Sequence, residues 1–143
     1  MITQTDRDRI AAADGMLRGY RYHARELAEL DDDIAVLDYS MAGVRGVSWG
    51  GVPGGHTDRE HQLLVLMEKR DEKEAQAAAL RTYLRQIDDA LLAYSDEDQQ
   101  LIHEYYMTPC TTYEQICDKH FMSRETVRRR VQAILSTIPL YHI

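Results

Sequence analysis

The side chains best suited to chemistry in this 143-residue chain lie in one run, Ser123-Arg124-Glu125-Thr126-Val127-Arg128-Arg129-Arg130-Val131-Gln132. On a helix, where successive residues are about 100° apart, Val127, Val131, Ile134 and Ile138 centre one face and leave Glu125, Thr126, Arg129, Gln132, Ala133 and Ser136 opposite. Guanidinium, carboxamide and carboxylate groups on such a stripe are those that read base edges. Arg129 can fork onto guanine, Gln132 can pair with adenine and Glu125 can accept from cytosine. Arg124, Arg128 and Arg130 lie nearer the flanks, where a long side chain reaches a phosphate oxygen. Ser123, at the helix start, joins them as an expected contact residue, and the expected partner is double-stranded DNA.

An overall charge of −7 argues against a polyanionic partner, but the charge is unevenly distributed. From Lys119 onward five basic residues, Lys119, Arg124, Arg128, Arg129 and Arg130, face one acid, Glu125, a local balance of +4. Phosphate contacts act within a Debye length of roughly 8–10 Å, so the local sign governs. The acidic remainder weakens nonspecific binding and favours a selective reader.

Other chemistries find little support. Cys110, Cys117 and His120, with His103, suggest a zinc site, but the spacing Cys-x6-Cys-x2-His fits no strong metal pattern and Cys117 reads as core. His56, Glu60 and His61 lack metalloprotease spacing. No nucleophile, base and orienting group form a set, so neither an enzyme nor a metal or cofactor is expected. No apolar run approaches the roughly 18–20 residues of a membrane span, and the charged N-terminal sequence does not resemble a signal peptide. With only two cysteines, a reducing cytoplasm is the expected compartment.

Apolar residues recur at spacings of three and four almost throughout, which predicts an all-α fold. Three short helices are predicted from residue 95. Ser95-Asp96-Glu97-Asp98 starts one carrying Leu101, Ile102, Tyr105 and Tyr106, and Thr108-Pro109 ends it. Thr111-Thr112-Tyr113-Glu114 reads as a capping box for the second, and Ser123 caps the third. Tyr113, Ile116, Met122, Val127 and Val131 fall where two helices at a steep angle bury apolar groups, with Cys117 as the small residue that permits close approach. Three tightly joined helices, the last rich in arginine, describe a helix-turn-helix domain over residues 95–143.

Residues 1–94 read as a coiled-coil-like helical hairpin that serves oligomerisation. Asp6 to Asp14 predicts a short helical arm, and Gly15 to Met41 a first long helix with Leu17, Tyr20, Ala24, Leu27, Leu30, Ile34, Leu37 and Met41 in one stripe. A glycine-rich connector follows over residues 42–56. It contains Trp49, expected to plug against the helices, but no Gly-Lys-Ser/Thr ending of a phosphate loop. Thr57-Asp58-Arg59-Glu60 predicts the cap of a second long helix reaching about Tyr94. Its seam, Leu63, Leu66, Arg70, Lys73, Ala77, Leu80, Leu84, Ile87, Leu91 and Tyr94, needs a partner. That partner is the first helix, the same helix of a second subunit, or both. Arg70 and Lys73 are candidates to face Asp31-Asp32-Asp33, which also reads as a solvated face.

The stretch from Thr112 to Arg130, including Thr112-Tyr113-Glu114-Gln115-Ile116 and His120-Phe121-Met122-Ser123-Arg124-Glu125-Thr126, resembles the promoter-reading helix-turn-helix of sigma factor region 4. That resemblance covers about the last 50 residues and implies Arg124, Glu125, Arg128 and Arg129 at the DNA. The chain departs from the motif in placing Arg130 at a usually apolar position. The whole arrangement is similar to phage and prophage transcriptional regulators of the RinA/ArpU type. This similarity implies activation of late, packaging or integration genes by a homo-oligomer, with RNA polymerase as a further partner. The competing expectations are a DNA-packaging component such as a small terminase subunit, and a protein-only adaptor that binds RNA polymerase.

Overall fold

The computed structural model describes residues 4–46 and 55–143, and every regular element in them is helical. The chain forms α1 (Gln4–Arg18), α2 (Tyr20–Gly46), α3 (Gly55–Leu91), α4 (Asp96–Ile102) continued by a π-helical turn (His103–Met107), α5 (Tyr113–His120) and α6 (Arg124–Leu135). No helix among the described residues is long and apolar enough to cross a membrane.

The N-terminal helices break at Gly19 rather than between Asp14 and Gly15. Helical hydrogen bonds still cross the break, from Gly19 N–H to the Gly15 carbonyl at 3.1 Å and from His23 N–H to the Gly19 carbonyl at 3.0 Å. The result is a bent, nearly continuous helix. The expected arm is therefore longer, and Leu17 belongs to α1. α2 also outlasts its expected end at Met41: Gly43 and Gly46 are helical, because glycine lowers helix stability without forbidding it. The connector expected to begin at residue 42 is thus helical through Gly46. Its residues 47–54, with Trp49, lie outside the described residues, as does the side chain of Thr57, and its last two, Gly55 and His56, already belong to α3, which starts two residues before the expected cap.

The chain divides into two compact units, residues 1–24 with 82–143, and residues 25–81. The second unit is a hairpin between α2 and α3. Leu30 and Ile34 pack on Ala77 and Leu80, with Leu27 alongside. Its ion pairs, Arg81–Asp31 at 3.2 Å, Lys73–Asp33 at 3.1 Å and Arg70–Asp38 at 2.5 Å, run down one helix as they run up the other, so the pairing is antiparallel. The seam therefore closes within the chain. Lys73 meets the acidic run as expected, whereas Arg70 takes Asp38.

The first unit gathers the expected C-terminal helices, the end of α3 and, unexpectedly, α1. The division therefore does not follow the expected boundary between residues 94 and 95. Ala13, Met16 and Leu17 from α1 are buried, as are Ile87 and Leu91 from α3 and Leu101 and Ile102 from α4. α1 touches both α6 and the π-helical turn. Polar contacts fix it there. Arg9 donates to the Leu135 and Ile138 carbonyls at 3.1 and 2.7 Å, and the Tyr106 hydroxyl donates to Asp14 at 2.7 Å. α3 ends three residues short of Tyr94 because the amides of Leu92, Ala93 and Tyr94 bond three residues back rather than four, tightening the turn. Tyr94 then reaches the Thr137 hydroxyl at 2.7 Å.

A candidate nucleic-acid interface on α5 and α6

Local sequence fixes the entry of each short helix. Ser95 accepts from the Asp98 amide and Ser123 from the Thr126 amide, as their types and positions predict. The capping box of α5 is displaced by one residue from the expected Thr111–Glu114. Thr112 accepts from the Gln115 amide, and the Gln115 side chain accepts from the Thr112 amide. Either register satisfies the rule, and Gln115 serves as well as a glutamate.

α5 ends at His120, and Phe121 after it adopts the left-handed conformation at φ 54° and lets the chain turn sharply into α6. The Met122 amide closes the turn on the Cys117 carbonyl at 3.0 Å. Ile116, Cys117, Val127 and Val131 are buried between the two helices, as their spacing predicts. Tyr113 adds a tie that sequence reasoning assigned only to packing, since its hydroxyl donates to the Arg124 carbonyl at 2.7 Å. α6 stops at Leu135, so Ile138, expected on the helix, is buried just beyond its end.

The C-terminal end of α5 is anchored by Glu104, a carboxylate buried in the π-helical turn. Its oxygens meet Lys119 Nζ at 2.5 Å, His120 Nε2 at 2.6 Å and Gln100 Nε2 at 3.2 Å. Burial alone would raise its pKa, but the hydrogen bonds from Lys119, His120 and Gln100 outweigh burial and hold it below the ordinary carboxylate value. A helical period gave no signal for this cluster, because it marks buried faces by apolar residues and the partners that let a carboxylate be buried there come from another helix, α5.

The outward side of α6 carries most of the expected contact residues. Arg124, Glu125, Thr126, Arg128 and Arg129 are exposed and Gln132 is half-buried. An open groove of about 700 Å³ brings Arg124, Glu125, Arg128, Arg129 and Gln132 together with Tyr105 and Tyr113. The two tyrosine rings meet edge to face, with centroids 5.8 Å apart. Thr126 and Ser123 bond each other through their hydroxyls at 2.9 Å and lie outside the groove lining.

The four arginines of α6 differ in their partners. Arg124 pairs with Glu114 at 2.7 Å, and Arg129 with Glu125 at 3.2 Å in an exposed i,i+4 bridge. Arg130 turns toward α4, pairing with Glu97 at 3.0 Å, and is not part of the groove. This accounts for a charged residue at a position expected to be apolar: the long stem is half-buried and the head finds an acid. Arg128 has no ion pair among the described residues.

His120 is engaged by Glu104, and Cys117 is buried in the α5–α6 core. Among the described residues no group of three or more His, Cys, Asp or Glu is placed to hold a metal. No protein-family model, curated protein or solved structure matches the chain.

Proposed function

We propose that the chain is a sequence-specific DNA-binding transcriptional regulator in which α5 and α6 act as a helix-turn-helix. One observation carries this reading: Val127 and Val131 are 0% and 4% exposed, while Glu125, Arg128 and Arg129 stand in solvent along the other side of α6. A helix held by one face and open along the other, with forked donors and an acceptor on the open face, has what a major-groove reader needs. The exposed pairs Arg124–Glu114 and Arg129–Glu125 exchange readily for DNA contacts, since such surface pairs are worth only about 0–1 kcal/mol.

The regulator works as a homo-oligomer that aligns recognition helices with repeated half-sites. Val36, Tyr39 and Leu64 on the hairpin of residues 25–81 are exposed apolar side chains, and they support self-association there. The similarity to phage and prophage regulators of the RinA/ArpU type supports late, packaging or integration genes as targets and RNA polymerase as a further partner.

The test is selection of genomic fragments by the purified protein, with its mass in solution measured alongside. Enrichment of one sequence motif by a dimer or tetramer supports regulation. A closed ring of about eight or more subunits favours a packaging component. Failure to shift any duplex at low salt leaves a protein-only adaptor that binds RNA polymerase.

A further inference from the structure

A second groove, of about 550 Å³, lies beside the first and shares Tyr105, Arg128 and Gln132 with it, but its opposite wall is α1. Arg7 lines that wall. α1 carries three arginines, of which Arg9 bonds the carbonyls of Leu135, the last residue of α6, and of Ile138 beyond it, and Arg18 pairs with Asp14 at 2.8 Å. Arg7, like Arg128, is exposed and has no ion pair among the described residues. Each of these two helices therefore has one uncompensated guanidinium, and both line the same groove.

The groove offers them no internal anion. Its one carboxylate, Asp14, is already engaged at both oxygens, by the Tyr106 hydroxyl and by Arg18. Ile10, Val131 and Leu135 supply apolar lining, which weakens screening and strengthens the pull on an anion. Guanidinium is charged at every accessible pH and forks onto paired oxygens.

We propose that this groove seats a phosphate of the DNA backbone between Arg7 and Arg128, making α1 a second DNA-contacting element beside α6. The proposal rests on the DNA-binding reading above. The shared residues set the groove next to the open side of α6, where the backbone flanking a major-groove helix runs.

The test measures duplex affinity of the full chain against salt for wild type, Arg7→Gln, Arg7→Lys and Arg128→Gln, with helicity checked by circular dichroism. Arg7→Gln should weaken binding to all duplexes alike and make the log–log salt slope shallower by about one, as loss of one phosphate contact requires. Arg7→Lys should keep the wild-type slope. An unchanged slope in Arg7→Gln beside a reduced one in Arg128→Gln overturns the role of α1 and leaves the DNA reading standing. A wild type that binds no duplex overturns both. Inorganic phosphate that shifts the Ala11 and Gln132 amide resonances, while Arg7→Gln leaves the slope intact, assigns the groove to the free ion and overturns the backbone contact.

Discussion

Arg9 and Ile138 are joined by a 2.7 Å hydrogen bond from the guanidinium to the carbonyl oxygen, and the same side chain reaches the Leu135 carbonyl. Leu135 closes α6, where carbonyls lack internal partners and carry the negative end of the helix dipole, and Ile138 lies just beyond that end, so one cation satisfies an acceptor at each place. Arg9→Ala should lower stability by about 1–3 kcal/mol, because it strands partly buried acceptors and loosens α1 from α6. Arg9→Lys should recover only part of this, having no fork to span two carbonyls. Thermal unfolding monitored by circular dichroism measures the difference.

Acid should release the Glu104 cluster. Its carboxyl pKa is lowered on folding, so the stabilisation is complete above the ordinary value of 4.5 and is lost as the pH falls through the depressed folded value. The wild type should therefore lose more stability than Glu104→Gln as the pH is taken below about 4.5. Denaturant midpoints across an acid series test this, and parallel curves for the two proteins would remove Glu104 from the account.

Phe121 is 95% exposed at a positive φ of 54°. A left-handed backbone costs a side-chain-bearing residue roughly 1 kcal/mol and costs glycine nothing. Phe121→Gly should therefore raise stability by up to about 1 kcal/mol, since almost no buried surface is lost. A lower melting temperature would mean that the ring packs on something in solution.

Arg129 and Arg128 should separate base reading from phosphate holding. Arg129→Ala should narrow the gap between target and unrelated duplex, whereas Arg128→Ala should weaken both equally and flatten the salt dependence. Competition binding on the two duplexes distinguishes these outcomes, and equal loss on every sequence for both variants defeats the division of roles.

The legible part of the structure was what periodicity and capping encode. The buried Val127 and Val131, the Ser95 and Ser123 caps and the α3 seam all follow from spacing and side-chain type within one helix. What stayed hidden depends on contacts between distant segments. Nothing near Arg9 announces that its partners lie more than 120 positions away. Arg7 belongs beside Arg128 only because α1 docks on α6. Arg130, one of the expected contact residues, meets Glu97 only because α4 packs beside α6. Two glycines misled in opposite ways: the helix passes straight through Gly15 and breaks at Gly19 instead.

The docking of α1 on α6 also orders events during synthesis. Residues 4–18 leave the ribosome more than 80 residues ahead of the π-helical turn and more than 100 ahead of α6, so the surface that receives them is complete only when residues 134–138 have emerged. The hairpin of residues 25–81 closes over shorter loops and has a lower entropic barrier. Until then nascent α1, with Leu17 uncovered, lacks the packing that so short a helix needs to persist in water.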